Sequence, residues 1–171
     1  MISLFNAYID KTNSYSFNNF WNIEAPLEQS WKALFSYKKW TDWCDGLEKI
    51  EPLYQFDPIK KGHHIRSTWK GALPYSISFD AVIKDVAPYS FLSFSVTGDL
   101  CGEGICHFLP WNQNTMINLI WNVSPTKLWM RMSAPFARSL FIKNHDRIVE
   151  HSAAGFIQML EHKSNIQTYL I

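Results

Sequence analysis

The chain has 171 residues, enough for one domain that hides roughly 70% of its unfolded surface, and 16 basic against 15 acidic residues leave a net charge of +1. That balance supplies no global field for nucleic acid or an anionic membrane, and no run reaches the roughly 18 apolar residues of a membrane-spanning helix. Aromatic residues are abundant, with 8 Trp and 12 Phe, so large rings must line or fill the interior.

Residues 1–15 show no clear period and read as an N-terminal leader; a single domain is expected over 16–171. The start lacks the basic region and long apolar segment of a secretory signal, so a cytoplasmic location is expected. Cys44, Cys101 and Cys106 are too few and too irregularly spaced for a disulfide framework, in keeping with a reducing compartment. The sequon Asn122-Val123-Ser124 is then coincidental.

From Phe17 to Glu24, aromatic and β-branched residues predict a strand that runs into Ala25-Pro26, where a helix takes proline in its first turn. Leu27, Trp31, Leu34 and Phe35 follow as one helical stripe. A second short helix is predicted from Lys38 to Cys44, with Gly46 as its stop. From Leu47 to Thr126 the period becomes two, broken by turn signals that describe successive antiparallel strands. Tyr75, Ile77, Phe79, Ala81 and Ile83 alternate with polar residues, as do Ile117, Leu119, Trp121 and Val123. Each of these strands therefore has one dry face and one wet face. After Pro135 the pattern is helical to about His162, roughly 40 Å of helix. Phe141, His145, Ile148, Ser152, Phe156 and Leu160 share its apolar side.

Several constellations carry little chemistry. Cys106 and His107 are neighbours on a strand and point to opposite faces, so with Cys101 they cannot easily share an ion. His63-His64 has the same adjacency and reads as a surface or rim pair. Gly102-Glu103-Gly104 lacks the third glycine of a dinucleotide fingerprint, and no nucleophile elbow is present. Asp80, Asp85, Asp99 and Glu103 fall at turns or on wet faces. Arg66, Lys70 and Lys84 could form a basic strip on the outer sheet.

Strand, two short helices, an antiparallel run and one long closing helix form an α+β order. The wording Trp21-Asn22-Ile23-Glu24-Ala25-Pro26, then Trp31, Trp40 and Trp43, the VIKDVAP of Val82–Pro88, and Phe108-Leu109-Pro110 with Thr115-Met116-Ile117 carry a resemblance. It spans about Phe17 to Leu160. The chain resembles the START-like helix-grip (SRPBCC) superfamily, and locally its polyketide cyclase/dehydrase branch. The resemblance implies a curved sheet wrapped around the last helix, with a cavity for an apolar compound such as a lipid, quinone or polyketide. It also turns Cys106 inward and His107 outward, although the alternation of Ile105 and Leu109 argues the reverse.

The expected ligand-binding residues are Trp69, Tyr75, Ile77, Phe79, Cys106, Phe108, Leu119, Trp121, Phe141, His145, Ile148 and Ser152. His145 and Ser152 interrupt an apolar helix face, where an unpaired polar group costs about 1–3 kcal/mol, so both need partners. No cofactor, metal or nucleic acid is expected, and no residue is assigned an outright catalytic role. The leading expectation is a carrier or sequestering protein. An alternative is a cyclase or dehydratase, with His145 as general base and Tyr75 as donor to a carbonyl. A second alternative is an interaction module that uses the surface from Trp129 to Phe136.

Overall fold

The computed structural model describes residues 13–168; the side chains of Pro135 and of residues 162–168 lie outside the description. Most of the expected leader, residues 1–12, also falls outside it. Tyr15, assigned to that leader, begins the first strand and is buried.

Seven strands form one antiparallel sheet in the order β1-β7-β6-β5-β4-β3-β2. They are β1 (Tyr15–Ile23), β2 (Leu47–Tyr54), β3 (His64–Trp69), β4 (Ile77–Ala87), β5 (Phe91–Gly98), β6 (Leu100–Trp111) and β7 (Asn114–Pro125). From β2 onward each strand pairs with the next, so all those connections are local. β1 returns to pair with the last strand, Tyr15 opposite Val123 and Ile23 opposite Thr115. Helix α1 (Leu27–Leu34) and a 3-10 turn (Tyr37–Asp42) fill the gap between β1 and β2. The long helix α2 (Leu128–Thr168) crosses the concave face.

Local sequence explains these elements. In β1, Tyr15, Phe17, Asn19, Trp21 and Ile23 turn inward, and Ser16, Asn18, Phe20 and Asn22 turn out. The predicted alternation of β4 and β7 is present, although a register shift interrupts β4 between Ile83 and Asp85. Trp31 on α1 packs edge-on against Phe35 and against Phe108 of β6, which fixes the helix to the sheet. The second predicted helix is the tighter 3-10 turn, held by the N–H groups of Trp43 and Cys44 on the Trp40 carbonyl.

The last helix begins earlier than expected, at Leu128 rather than after Pro135. Proline fits a first helical turn best, which is why it reads as a start; here the helix already exists ahead of it. The Trp129–Phe136 stretch is therefore helical. Leu128, Met132, Phe136 and Leu140 recur every fourth residue along one exposed stripe, whereas Met130 and Ala134 face the sheet. Among the described residues, no helix is long and apolar enough to cross a membrane. The expected basic strip is not a free one, because the Arg66 guanidinium makes a two-pronged ion pair with Asp80, its cross-strand partner.

The core divides into two clusters. One gathers Ile23, Ala33, Leu34, Trp43, Phe108, Ile117, Phe156 and Leu160; the other gathers Tyr15, Phe79, Val96 and Val123 with Trp69, Trp121 and Phe141 around them. In the first, Phe156 of α2 has no exposure and lies between Trp21 and Trp43. The glycine before it makes this approach possible, since a Cβ at Gly155 would collide with the Trp43 carbonyl oxygen. In an exposed helix, Gly→Ala stabilises by about 1 kcal/mol. At this position the collision reverses the sign: Gly155→Ala should destabilise by about 1–3 kcal/mol, read as a lowered urea midpoint. An unchanged or raised midpoint would show that the helix does not press on the Trp43 backbone.

Candidate functional site

Between the two clusters, the concave face of the sheet and the inner side of α2 enclose a cavity of about 330 Å³. Its walls are mostly rings and branched chains. β1 supplies Tyr15, Phe17, Asn19 and Trp21; β7 supplies Ile117, Leu119, Trp121 and Val123; β4 supplies Ile77, Phe79, Ala81 and Ile83. The turn after α1 closes one side with Tyr37, Trp40 and Trp43. No Asp, Glu, Lys or Arg belongs to the lining among the described residues.

The rings brace one another. Trp121 meets Phe79 and Phe94 edge-on at 5.6 and 6.0 Å between centroids, and Trp69 stacks parallel to Phe79 at 6.5 Å. Edge-to-face contacts add to area burial and hold each plane in place, so the walls are stiff. On the helix side, His145 stacks on Phe17 at 3.5 Å, and Phe141 meets Tyr15 edge-on.

Of the residues expected from sequence, Trp69, Tyr75, Ile77, Phe79, Cys106, Leu119, Trp121, Phe141, His145, Ile148 and Ser152 line this cavity. Phe108 does not. It is buried against Trp31 and Phe35, where it joins α1 to the sheet, and alternation alone cannot tell such a position from a cavity wall. Cys106 points inward and is buried, whereas the ring of neighbouring His107 sits near Phe91, so the strand takes the facing that the resemblance implied.

Ser152 and His145 find different partners. The Ser152 hydroxyl accepts the Asp45 N–H at 3.0 Å and the Cys44 thiol at 3.4 Å, so it ties α2 to the loop ahead of β2. His145 meets its neighbour Asp146 through Nδ1 at 3.3 Å, and its Nε2 is buried with no protein partner. Other lining residues share that condition. The indole N–H groups of Trp21, Trp43 and Trp121 and the hydroxyls of Tyr15 and Tyr75 are buried without hydrogen bonds. Burial raises the pKa of both tyrosines, so each keeps its proton.

His63 corrects the surface-or-rim reading: it is 2% exposed and lines the cavity. Its Nδ1 accepts the Phe56 N–H at 3.0 Å and its Nε2 is unpartnered. Only His64 faces outward, 3.3 Å from Asp80. A loop residue just ahead of β3 carries no alternation signal, so nothing in the pattern marked it. The inner face of β1 was more legible, because Tyr15, Phe17, Asn19 and Trp21 do alternate with Ser16, Asn18, Phe20 and Asn22. The expectation of a leader and the exposed Phe20 obscured it.

The two cysteines that line the cavity, Cys44 and Cys106, are poor nucleophiles. Burial pushes the Cys44 thiol up to about 11 and Cys106 up to about 12, so neither carries much thiolate near neutral pH.

No protein-family model matches the sequence. No curated protein matches it either. Solved structures do. A Thermus thermophilus protein superposes with a TM-score of 0.72 at 19% identity, over 88% of this chain and 99% of that one. The fold is the START-like helix-grip fold. Other helix-grip structures agree in outline. The ZhuI aromatase/cyclase of Streptomyces sp. R1128 gives 0.72 at 13% identity, covering 88% of this chain and 96% of its own. Ara h 8.0201 gives 0.64 at 8% identity, covering 87% and 99%. A helix-grip chain joins its sheet to its last helix across one concave face, and that face is where the cavity lies here.

The two buried histidines set an acid limit on this arrangement. Desolvation holds both His63 and His145 below the usual histidine pKa of 6.5, with Asp146 only partly opposing it at His145. As the pH falls through about 6.5 the unfolded chain takes up these protons before the folded one does, so stability declines with acidification. Urea midpoints measured from about pH 7.5 to 5 should fall, and the double variant His63→Gln, His145→Gln should show a flatter profile. A midpoint that rises as the pH drops through this window would contradict the burial of these rings.

Proposed function

We propose that this protein binds an apolar small molecule inside the helix-grip cavity and acts as its carrier or sequestering protein. One observation carries the reading: an uncharged space of about 330 Å³ is left open between sheet and helix in an otherwise packed interior. That volume lies in the range of small-molecule sites. Larger side chains could fill it, so the space kept open there supports a bound occupant. Burial of the occupant at about 25 cal/mol per Å² would then supply most of the affinity.

The residues that would line the ligand are those of the walls, Trp69, Ile77, Phe79, Leu119 and Trp121 among them, with Tyr75 and His145 as orienting groups. An interaction module would suit a filled interior, which is not what the cavity presents. The test is ligand capture. Protein purified from its source, denatured and extracted, should release a lipophilic compound; an apolar ligand at a hundredfold excess over Kd should raise Tm by roughly 5–10 °C. Ala81→Phe, which projects a ring into the void, should abolish the shift without lowering the Tm of the empty protein. No extract and no shift across lipids, quinones and aromatic polyketides would sink the proposal.

A second reading, general acid-base catalysis on a bound ring compound, draws on His145. The residue lines the cavity, its Nε2 is buried with no protein partner, and desolvation keeps its ring neutral at pH 7, the state a base requires. The name of the ZhuI aromatase/cyclase supports the same direction. With a polyketide-like substrate, His145→Ala should cut kcat by about 10²-fold or more and leave KM nearly unchanged. No turnover by the unsubstituted protein would leave the carrier reading alone, and equal turnover in both would take His145 out of the reaction.

A further inference from the structure

The outer face of α2 changes character along its length. Over the first turns it shows Leu128, Met132, Phe136 and Leu140, which are 70%, 66%, 91% and 51% exposed, with Trp129 beside them at 47%. Further on, the same face carries Lys143, Asp146, Arg147 and Glu150, all exposed, as a water-facing helix side does. None of the apolar group lines the cavity or belongs to either core cluster. On the opposite side of the same turns, Met130 and Ala134 are buried. A ridge of large apolar side chains, about 18 Å long, is therefore presented to solvent by a helix anchored through its other side.

Charge around the ridge is one-sided, which the near-neutral total conceals. From Lys127 to His145 the chain holds Lys127, Arg131, Arg138 and Lys143 and no acidic residue, whereas the remaining sequence has more acids than bases. At 3.6 residues per turn, Lys127, Arg131 and Arg138 follow one border of the ridge and Lys143 continues its line. Asp99 pairs with Lys127 at 2.8 Å, and among the described residues Lys143 makes no ion pair. These features select among occupants. A second copy laid antiparallel on the ridge would bring the bases of both chains to one interface, where like charges repel. A folded partner would need a groove to receive a protruding ridge. A bilayer surface needs none, because its headgroup region yields to inserted side chains and its anionic lipids attract bases.

We infer that the outer face of the first turns of α2 docks this protein on an anionic bilayer. The helix lies along the surface and does not cross it, since no described helix is long and apolar enough to span. Its Leu, Met, Phe and Trp side chains enter the headgroup boundary to a depth of about 5–10 Å while the basic border stays at the charged surface. Trp129 also meets Tyr75, a cavity-lining residue, edge-on at 4.7 Å, so docking there brings one wall of the cavity to the membrane. The docking itself does not depend on what the cavity holds.

Vesicle co-sedimentation of the full chain tests this. Vesicles of equal parts phosphatidylglycerol and phosphatidylcholine should pellet the protein, and binding should be about tenfold weaker or less on pure phosphatidylcholine or in about 0.5 M salt. Met132→Gln with Phe136→Gln should lose about tenfold or more in lipid affinity at an unchanged Tm, because both side chains are exposed and glutamine suits a helix. Leu128→Gln with Leu140→Gln is the second pair and should act alike, and Lys143→Glu should cost roughly fivefold or more. Ala81→Phe, which fills the cavity, should bind vesicles like the unsubstituted chain, so the carrier reading and the docking fail separately. Binding that ignores lipid charge, or that survives both glutamine pairs, overturns the inference. So does a dimer seen by light scattering that the glutamine pairs dissolve, since a second copy then occupies the ridge.

Discussion

The whole arrangement depends on how α2 is clamped to the sheet. Phe156, fully buried, sits between Trp21 of β1 and Trp43 of the turn after α1, and Gly155 lets the Trp43 backbone reach the helix. Ser152 adds its hydroxyl to the same junction by accepting the Asp45 N–H. Toward the other end, Phe141 meets Tyr15, and the Arg138 guanidinium lies 4.6 Å from the centre of the Tyr15 ring. A helix held at two places over a concave sheet cannot collapse onto the floor between them, so the space persists.

The walls resist collapse for a related reason. Side chains around Trp121 pack ring against ring in nearly perpendicular planes, a geometry with few alternative rotamers. Aliphatic chains in the same positions would relax inward and shrink the void. The high aromatic content thus serves a structural purpose before any chemical one: large rigid groups define an almost wholly apolar surface, and the polar tips of several of them are covered within the shell. Burial keeps those tips neutral, since tyrosine pKa values rise and histidine values fall inside the shell.

Much of this was legible in the residues. The alternation in β4 and β7 identified inward side chains because one face of each strand packs and the other does not, and a period of two leaves little ambiguity once the strand is recognised. The amphipathic face of α2 was equally plain from Phe141 to Leu160. Where the reading strayed, the local signal was weak or misleading. Pro135 reads as a helix start although the helix begins at Leu128. Phe108 alternates like a cavity residue but is covered by α1. His63 precedes its strand and carries no periodic signal, yet the turn between β2 and β3 folds it under the sheet.

By itself, the sequence determined the element types, the inward face of the central strands and helix, and the absence of formal charge along that face, since these are local consequences of period and residue type. Only the tertiary structure decided that an open cavity separates two core clusters, that Ser152 is satisfied by the Asp45 backbone while His145 Nε2 is not, and that His63 joins the wall. Those outcomes depend on which backbone groups meet across the fold. Volume and hydrogen-bond satisfaction belong to pairs of distant residues, and a pattern along one chain does not encode the distance between them.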